Sequence, residues 1–351
     1  MRKLQQNSAL TEVRPNGRLV RKLKLAMEDW HGLGGLAKSL HLTRSGLREE
    51  LDILEILGYE LAYHPRLGVR LERWADFLTE AEISYRIRTD VVGSKVVVLD
   101  KVTSTNDVAV EMARCGSQEG TTIFAERQTH GRGRLGRVWA SPRSKGLWFS
   151  TLLRPKLKTD GASLLTIMAA VAISEGIRSE LGLPALIRWP NDIIIHGKKV
   201  GGVLVEMKSC GTKVPECILG AGVNVNYETE EMPRHIRKIA TSLMTELGRP
   251  VDRIQSARAM LRSLDMWYQR LRNGDVIDII DAWRRLSGTL GRNVSIEQHG
   301  RQYRGSVVDI DPNGALVLRL RSGGHRIFRS HEITRMTERL GAELSVRKRK
   351  R

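Results

Sequence analysis

The stretch Glu126 to Arg137, ERQTHGRGRLGR, decides how the rest of the chain is read. Gly131, Gly133 and Gly136 alternate there with Arg132, Arg134 and Arg137, and Arg127 stands just upstream. The glycines would weaken a helix, and a strand core would not hold the charges. The residues therefore form a loop. No GxxxxGK[ST] pattern occurs, so this is not a Walker loop. By composition it fits a mobile loop that closes over an anion, with phosphate foremost, and equally a basic surface loop.

The flanking sequence is strand on both sides. TTIFAER leads into the loop and GLWFSTLLRP leaves it, ended by Pro155. Upstream, VVVLDKV is a buried-strand pattern, and Ser104 or Thr105 caps a helix with Val108 and Met112 on one face. Downstream, LLTIMAAVAISEGIRSELG reads as a mostly buried helix. ALIRW, DIIIHG, KVGGVLVEMKS and ECILGAGVNVN then follow as strands, with HGKK as a hairpin turn. Neighbouring strands without intervening helices predict a mixed, mostly antiparallel sheet. The class is α+β rather than doubly wound. Helices are expected over 234–247, 253–271 and 275–286. From Leu290 the period changes to short strands with Gly and Pro-Asn-Gly turns, which suggests a small SH3-like barrel.

Residues 18–72 read as a separate compact unit. Val20, Leu23, Ala26 and Met27 mark a first helix, and Leu33 to Leu40 a second. Thr43 caps a third, with Leu47, Leu51, Leu54 and Leu57 apolar and Gly58 ending it. Tyr59–Tyr63 and Val69–Leu71 form a hairpin about Pro65–Gly68. Three helices and a β wing make a winged helix-turn-helix. Arg44, Ser45 and Arg48 on the third helix, with Arg66 and Arg70 on the wing, are the candidate DNA contacts. Glu49, Glu50, Asp52 and Glu55 share that helix and would repel phosphates, so a packing or dimerisation unit is the alternative.

The 351 residues suggest two or three domains, and 41% hydrophobic with 28% charged residues lies in the globular range. The net charge of +19 favours a polyanionic partner or an acidic protein surface. Five of those charges lie in the tail Arg347–Arg351, which lacks the means to bury itself. Cys115, Cys210 and Cys217 make neither a disulfide framework nor a zinc motif, so a reducing cytoplasm is expected. No window approaches a membrane span, and the basic N-terminus has no apolar signal region.

Five motifs in order resemble the bifunctional type of bacterial biotin protein ligase. They are STN at Ser104–Asn106, GRGRLGR at Gly131–Arg137, RWPND at Arg188–Asp192, GKKVGGVLVE at Gly197–Glu206, and GAGVNVN at Gly220–Asn226. The resemblance covers about 18–337. It implies a winged helix-turn-helix at 18–72, a linker at 73–92 and a class II synthetase-like catalytic domain at 93–287. An SH3-like domain at 288–338 and a basic tail at 339–351 complete it. It also implies two-step chemistry on biotin and ATP, with Mg²⁺ carried chiefly on the phosphates, no tightly bound prosthetic group, and transfer to the biotin carrier domain of acetyl-CoA carboxylase. A lipoate ligase shares the fold and is the alternative. Operator DNA and a homodimer are implied by the winged domain.

The site residues follow from the same resemblance. Lys199, Arg132 and Arg134 are the catalytic set. Biotin falls to Ser104, Thr105, Asn106, Gln128, Gly131, Gly133, Gly201 and Gly202 together with those three. ATP falls to Arg134, Arg137, Trp139, Asn191, Lys199 and Asn224, and Asp192 is the candidate metal ligand. Leu135 replaces an arginine found in some members. Strand alternation says only that Lys198 and Lys199 face opposite ways. The alignment chooses Lys199 as the inward one.

Overall fold

A computed structural model describes residues 16–27, 29–56, 58–73, 76–155, 162–208 and 216–338. The leader before Asn16, Leu57, Cys210 and the basic tail lie outside the described residues. The chain divides into two compact units, 1–85 and 86–351.

In the first unit, helix α1 (Gly17–Leu25) starts at Asn16, whose side chain accepts from the Arg18 and Leu19 amides at 3.1 and 3.2 Å. Helix α2 (Leu33–Leu40) and helix α3 (Arg44–Ile56) follow, and Thr43 Oγ1 caps α3 by accepting from Gly46 N at 3.0 Å. Strands β1 (Glu60–His64) and β2 (Gly68–Arg73) form an antiparallel hairpin, and His31 bridges to Val69 beside it. Leu19, Leu23, Leu36, Leu47, Leu54 and Val69 pack one core, as the 3.6-residue period requires. The expected linker is partly structured. Its short helix α4 (Glu80–Ser84) docks on α1 through Lys24–Glu82 at 3.1 Å and Arg21 stacked 4.4 Å over Tyr85.

The second unit is built on a seven-stranded sheet. Its strands are β3 (Lys95–Val102), β4 (Thr121–Gln128), β5 (Gly146–Leu153), β6 (Leu186–Arg188), β7 (Asp192–Ile195), β8 (Lys198–Lys208) and β9 (Glu216–Asn224). The order is β3-β4-β5-β9-β8-β7-β6. Only β3–β4 is parallel, because helix α5 (Thr105–Arg114) crosses between them. Helix α6 (Ala162–Leu181) is apolar nearly all round and sits buried against β8. Helix α7 (Leu243–Leu247) is short; α8 (Arg253–Asn273) and α9 (Val276–Leu286) pack on α6. Strands β10 (Asn293–Gln298), β11 (Arg301–Ile310), β12 (Leu316–Leu320), β13 (His325–Phe328) and β14 (Ile333–Glu338) close the chain as an antiparallel sheet ordered β13-β12-β11-β10-β14.

The helix expected over 234–247 is confined to Leu243–Leu247. The preceding backbone is used elsewhere: Lys199 N donates to Ile239 O at 2.8 Å and Thr241 N to Lys199 O at 2.9 Å. Those bonds hold the segment beside β8, and only isolated turn bonds such as Ala240 N to Ile236 O at 2.9 Å stand in place of a helical ladder.

The segment entering β3 is held from α8. Buried Asp265 accepts from the amides of Asp90, Val91 and Val92 at 2.9, 2.8 and 2.8 Å. Asp265→Ala removes every one of these acceptors and is expected to cost about 2–4 kcal/mol. Urea unfolding against the parent measures it, and a loss under about 1 kcal/mol would mean that water replaces the carboxylate without penalty.

Candidate active site

A cavity of about 350 Å³ opens over β5, β8 and β9. Gly202 of β8 pairs with Gly222 of β9, and Gly220 lies on the same face. These glycines leave a bare floor, and the Trp139 indole lies on it. A Cβ on Gly222 would stand 2.5 Å from Trp139 Nε1, so the indole can lie there only because residue 222 lacks a side chain, whereas one on Gly202 would make an ordinary 3.6 Å contact with Trp139 Cζ3. Trp148 supports Trp139 edge-on, with ring centroids 6.4 Å apart. Trp139 Nε1 is buried and has no hydrogen-bond partner among the described residues.

Three cations converge on this space. The HGKK turn makes the expected hairpin, pairing Ile195 with Lys198. The register slips between Ile193 and Ile194. Lys198 is exposed, while Lys199 reaches into the cavity. Its ammonium lies 2.5 Å from Asp192 Oδ1 and 5.1 Å over the Trp139 ring. Arg132 pairs with Asp107 at 2.8 Å and Glu206 at 3.4 Å, and its hydrogen bond to Asp107 raises its pKa above the ordinary guanidinium value. Arg134 donates to the Ser330 carbonyl and, at 3.5 Å, to Asn191 Oδ1. Burial lowers its pKa, Asp192 opposes that, and Arg137 adds to it. A guanidinium stays charged across this range, so the shift records a desolvated cation facing neutral acceptors.

The loop holding these arginines closes on itself. Trp139 N donates to Gly131 O at 2.8 Å, Gly133 N to Arg137 O at 2.7 Å, and Arg132 bridges to Val138. Gln128 ties it to α5: Oε1 accepts from Thr105 N at 2.8 Å and from its hydroxyl at 3.1 Å, and Nε2 donates to Ser141 Oγ at 2.9 Å. Ser104 takes the capping role, accepting from Asn106 N at 3.3 Å. Asn106 Nδ2 donates to Glu206 Oε2 at 2.6 Å. Asn191 Nδ2 holds Val203 O at 2.7 Å and Asn224 Nδ2 holds Thr241 O at 3.0 Å, so both asparagines shape the wall.

Ser104, Thr105, Asn106, Gln128, Arg132, Gly133, Arg134, Arg137, Trp139, Asn191, Asp192, Lys199, Gly202 and Asn224 thus border one cavity. Gly131 and Gly201 do not. A Cβ on Gly131 would strike Trp139 O at 2.4 Å, and one on Gly201 would meet Gly222 O at 3.1 Å and Val223, so both glycines serve backbone packing. The sequence reading missed Asp107, Glu206 and Ser330. Glu206 was legible, since alternation puts it on the Gly202 face. Asp107 reads as an ordinary first-turn acid. The Ser330 contribution is a carbonyl from the C-terminal sheet, and β14 itself lines the rim with Ile333 to Met336.

In the first unit, Arg44, Ser45 and Arg48 are exposed on α3 and Arg66 is exposed at the hairpin tip. Arg70 is not a free contact. It bonds Glu72, its Nε at 3.0 Å, and stacks 4.8 Å over Trp30. Glu49, Asp52 and Glu55 share the exposed side of α3, whereas Glu50 turns back to accept from Asn16 N at 3.1 Å.

Residues 98–224 match the Biotin/lipoate A/B protein ligase family, and residues 289–333 match the Biotin protein ligase C terminal domain. The chain is 33% identical over 293 residues to the bifunctional ligase/repressor BirA of Bacillus spizizenii, spanning 84% of this chain and 90% of that protein. It is 31% identical over 227 residues to the biotin--[acetyl-CoA-carboxylase] ligase of Mycobacterium tuberculosis, spanning 63% of this chain and 82% of that one. A solved biotin protein ligase from Aquifex aeolicus in complex with biotin and ATP superposes with a TM-score of 0.62 at 28% identity, over 70% of this chain and all of that one.

Gly222→Ala should expel the Trp139 indole from the floor, at a cost of about 1–3 kcal/mol of overpacking. Tryptophan emission should shift to longer wavelength, with Trp139→Phe as the control that removes the signal. Unchanged emission in Gly222→Ala would contradict the packing described.

Proposed function

Because the chain belongs to the family of the bifunctional ligase/repressors and is a biotin protein ligase, we propose that this cavity makes biotinyl-5′-AMP and presents it to a carrier lysine. The observation that carries this reading is the convergence of Arg132, Arg134 and Lys199 on one glycine-floored cavity that Trp139 also lines. Two anions, a carboxylate and a triphosphate, must be held together there.

The biotin carboxylate attacks the α-phosphorus of ATP, the bond to the β-phosphate oxygen breaks, and pyrophosphate leaves. The lysine amine of the carrier then attacks the acyl carbon, loses its proton, and releases AMP. No enzyme nucleophile is required. Catalysis rests on positioning and on cations aimed at developing charge. Each cation is already held at a partner the substrates can displace: Lys199 at Asp192, Arg134 at Ser330 O and Asn191, Arg132 at Asp107 and Glu206. Incoming carboxylate and phosphate oxygens offer charged acceptors in exchange. Trp139 covers biotin and the nucleotide, and its unpartnered Nε1 gains an acceptor.

Among the described residues no group of three His, Cys, Asp or Glu forms a metal cage. That fits a Mg²⁺ ion that arrives on the ATP phosphates, keeps water ligands and borrows at most Asp192. The ion would add charge neutralisation to the phosphates.

The acceptor we assign is the biotin carrier domain of acetyl-CoA carboxylase, in keeping with the name of the Mycobacterium tuberculosis relative. Free Cys115 and Cys217 suit a reducing cytoplasm, and no described helix is long and apolar enough to cross a membrane. The C-terminal sheet is read as an SH3-like domain that supplies the rim of the cavity.

Pyrophosphate exchange run with biotin, lipoate and octanoate tests the assignment. Exchange is expected with biotin alone, and exchange with lipoate but not biotin would replace the reading by a lipoate ligase. Lys199→Ala should lose about a hundredfold to a thousandfold in adenylation rate, as for a lost oxyanion donor, and Lys198→Ala little. Equal losses would refute the role given to Lys199.

The first unit supports a second activity, repression, named in the Bacillus spizizenii relative. Its three helices and β hairpin are read as a winged helix-turn-helix, and the exposed Arg44, Ser45, Arg48 and Arg66 are the contacts assigned to DNA. A two-fold operator requires two readers, hence a homodimer. Binding to the chain's own biotin-gene promoter at about physiological salt should exceed binding to a scrambled duplex, and biotinyl-AMP should strengthen it. Equal affinity for both duplexes would leave the unit without a DNA function.

A further inference from the structure

Arg253, the first residue of α8, is buried completely, and its ion pair is the most enclosed in the described part of the chain. Its Nη2 lies 2.9 and 3.2 Å from the two oxygens of Glu126, which is itself buried. Its Nη1 donates to the Gly146 carbonyl at 3.1 Å. Ser144 Oγ donates to the same Glu126 carboxylate at 3.3 Å. Glu126 belongs to the last turns of β4, just before the loop begins. Ser144 and Gly146 stand where it ends. One guanidinium therefore grips both stems of the segment that carries Arg132, Arg134 and Trp139.

The grip extends to the floor. Gly146 pairs with Asn224, and the neighbouring Lys145 carbonyl accepts from Val225 and Asn226 N, each at 3.0 Å. A Cβ on Gly146 would lie 2.3 Å from the Trp148 ring, which in turn braces Trp139. A buried ion pair is a poor source of net stability, because desolvation offsets most of the attraction. An apolar pair would hold α8 to the sheet equally well. It would not join the Glu126 carboxylate of one loop stem to the Gly146 carbonyl of the other.

Building on the functional reading above, we propose that Arg253 and Glu126 are positioning residues for adenylation: they touch no ligand, and they set the stems from which the ligand-gripping loop is hung. Arg154–Glu216 at 2.8 Å provides the comparison, since it joins the far ends of β5 and β9 and reaches neither stem.

The test uses the full chain with Glu126→Gln, Arg253→Met, Arg253→Lys and, as control, Glu216→Gln. Hydrogen exchange over 129–145 is measured first, without ligand. Glu126→Gln and Arg253→Met should exchange there about tenfold or more faster, Glu216→Gln at the parental rate, with Arg253→Lys between. The release rate of biotinyl-AMP, formed from biotin and ATP on the folded fraction, should rise about tenfold to a hundredfold in the same order. Parental exchange in the clamp variants, or equal acceleration in the control, overturns the proposal. Should Arg253→Met not fold, Arg253→Lys and Glu126→Gln decide. Accelerated loop exchange with no adenylate formed by the parent would uphold the clamp and refute the functional reading.

Discussion

Cations brought together in a half-buried space repel one another, and this chain resolves that by giving each its own internal partner. Lys199 has Asp192, Arg132 has Asp107 and Glu206, and Arg134 has a backbone carbonyl and an amide. The last case is the most exposed to exchange. Arg134 is desolvated and hydrogen-bonds to neutral oxygens, with Asp192 acting on it by charge alone, so an anion offers it more than Ser330 and Asn191 do. The placement of those partners explains much of the architecture. Asp192 comes from the RWPND turn, Glu206 from β8, Asp107 from the start of α5, and Ser330 from the C-terminal sheet. Four separate parts of the fold thus supply the restraints on the three cations.

The floor obeys a different constraint. Trp139 lies on the Gly202–Gly222 pair, and only glycine at 222 permits it. An antiparallel β8–β9 pair in register places those glycines side by side. Arg253 at the start of α8 then touches both stems of the loop, through Glu126 and the Gly146 carbonyl. RWPND is bolted to the C-terminal sheet as well: Trp189 Nε1 donates to Gly314 O at 3.1 Å and Trp189 N to Thr289 Oγ1 at 2.9 Å. The C-terminal sheet therefore supports the wall that holds Asn191 and Asp192, in addition to reaching Arg134 directly.

Much of this was legible in the residues. The buried-strand runs VVVLDKV, TTIFAER and GLWFSTLLRP marked the central strands, HGKK the hairpin, and the glycine-arginine run the loop. What was not legible lies in long-range backbone contacts. Ile236, Ile239 and Ala240 keep a helical spacing, yet the segment forms only a local turn there and is tied to Lys199 through Ile239 O and Thr241 N. The charge of Arg70 can be read, but its engagement with Trp30 and Glu72 needs three dimensions. Arg253 looks like any first-turn arginine of an amphipathic helix. Gly131 and Gly201 sit inside the right motifs and still face backbone, because a motif names neighbours in sequence and not the direction in which each one looks.

The exchange of internal partners for substrate oxygens is the centre of this account, and a crystal structure of the chain grown with biotin and ATP tests it most directly. The account predicts that the Trp139 indole lifts off the Gly202–Gly222 floor to admit biotinyl-AMP beneath it, with Lys199 and Arg134 each about 3 Å from a ligand oxygen. In that state Lys199 has left Asp192, and Arg134 has left Ser330. A ligand bound in the cavity with both internal contacts intact, or bound elsewhere on the chain, would contradict it.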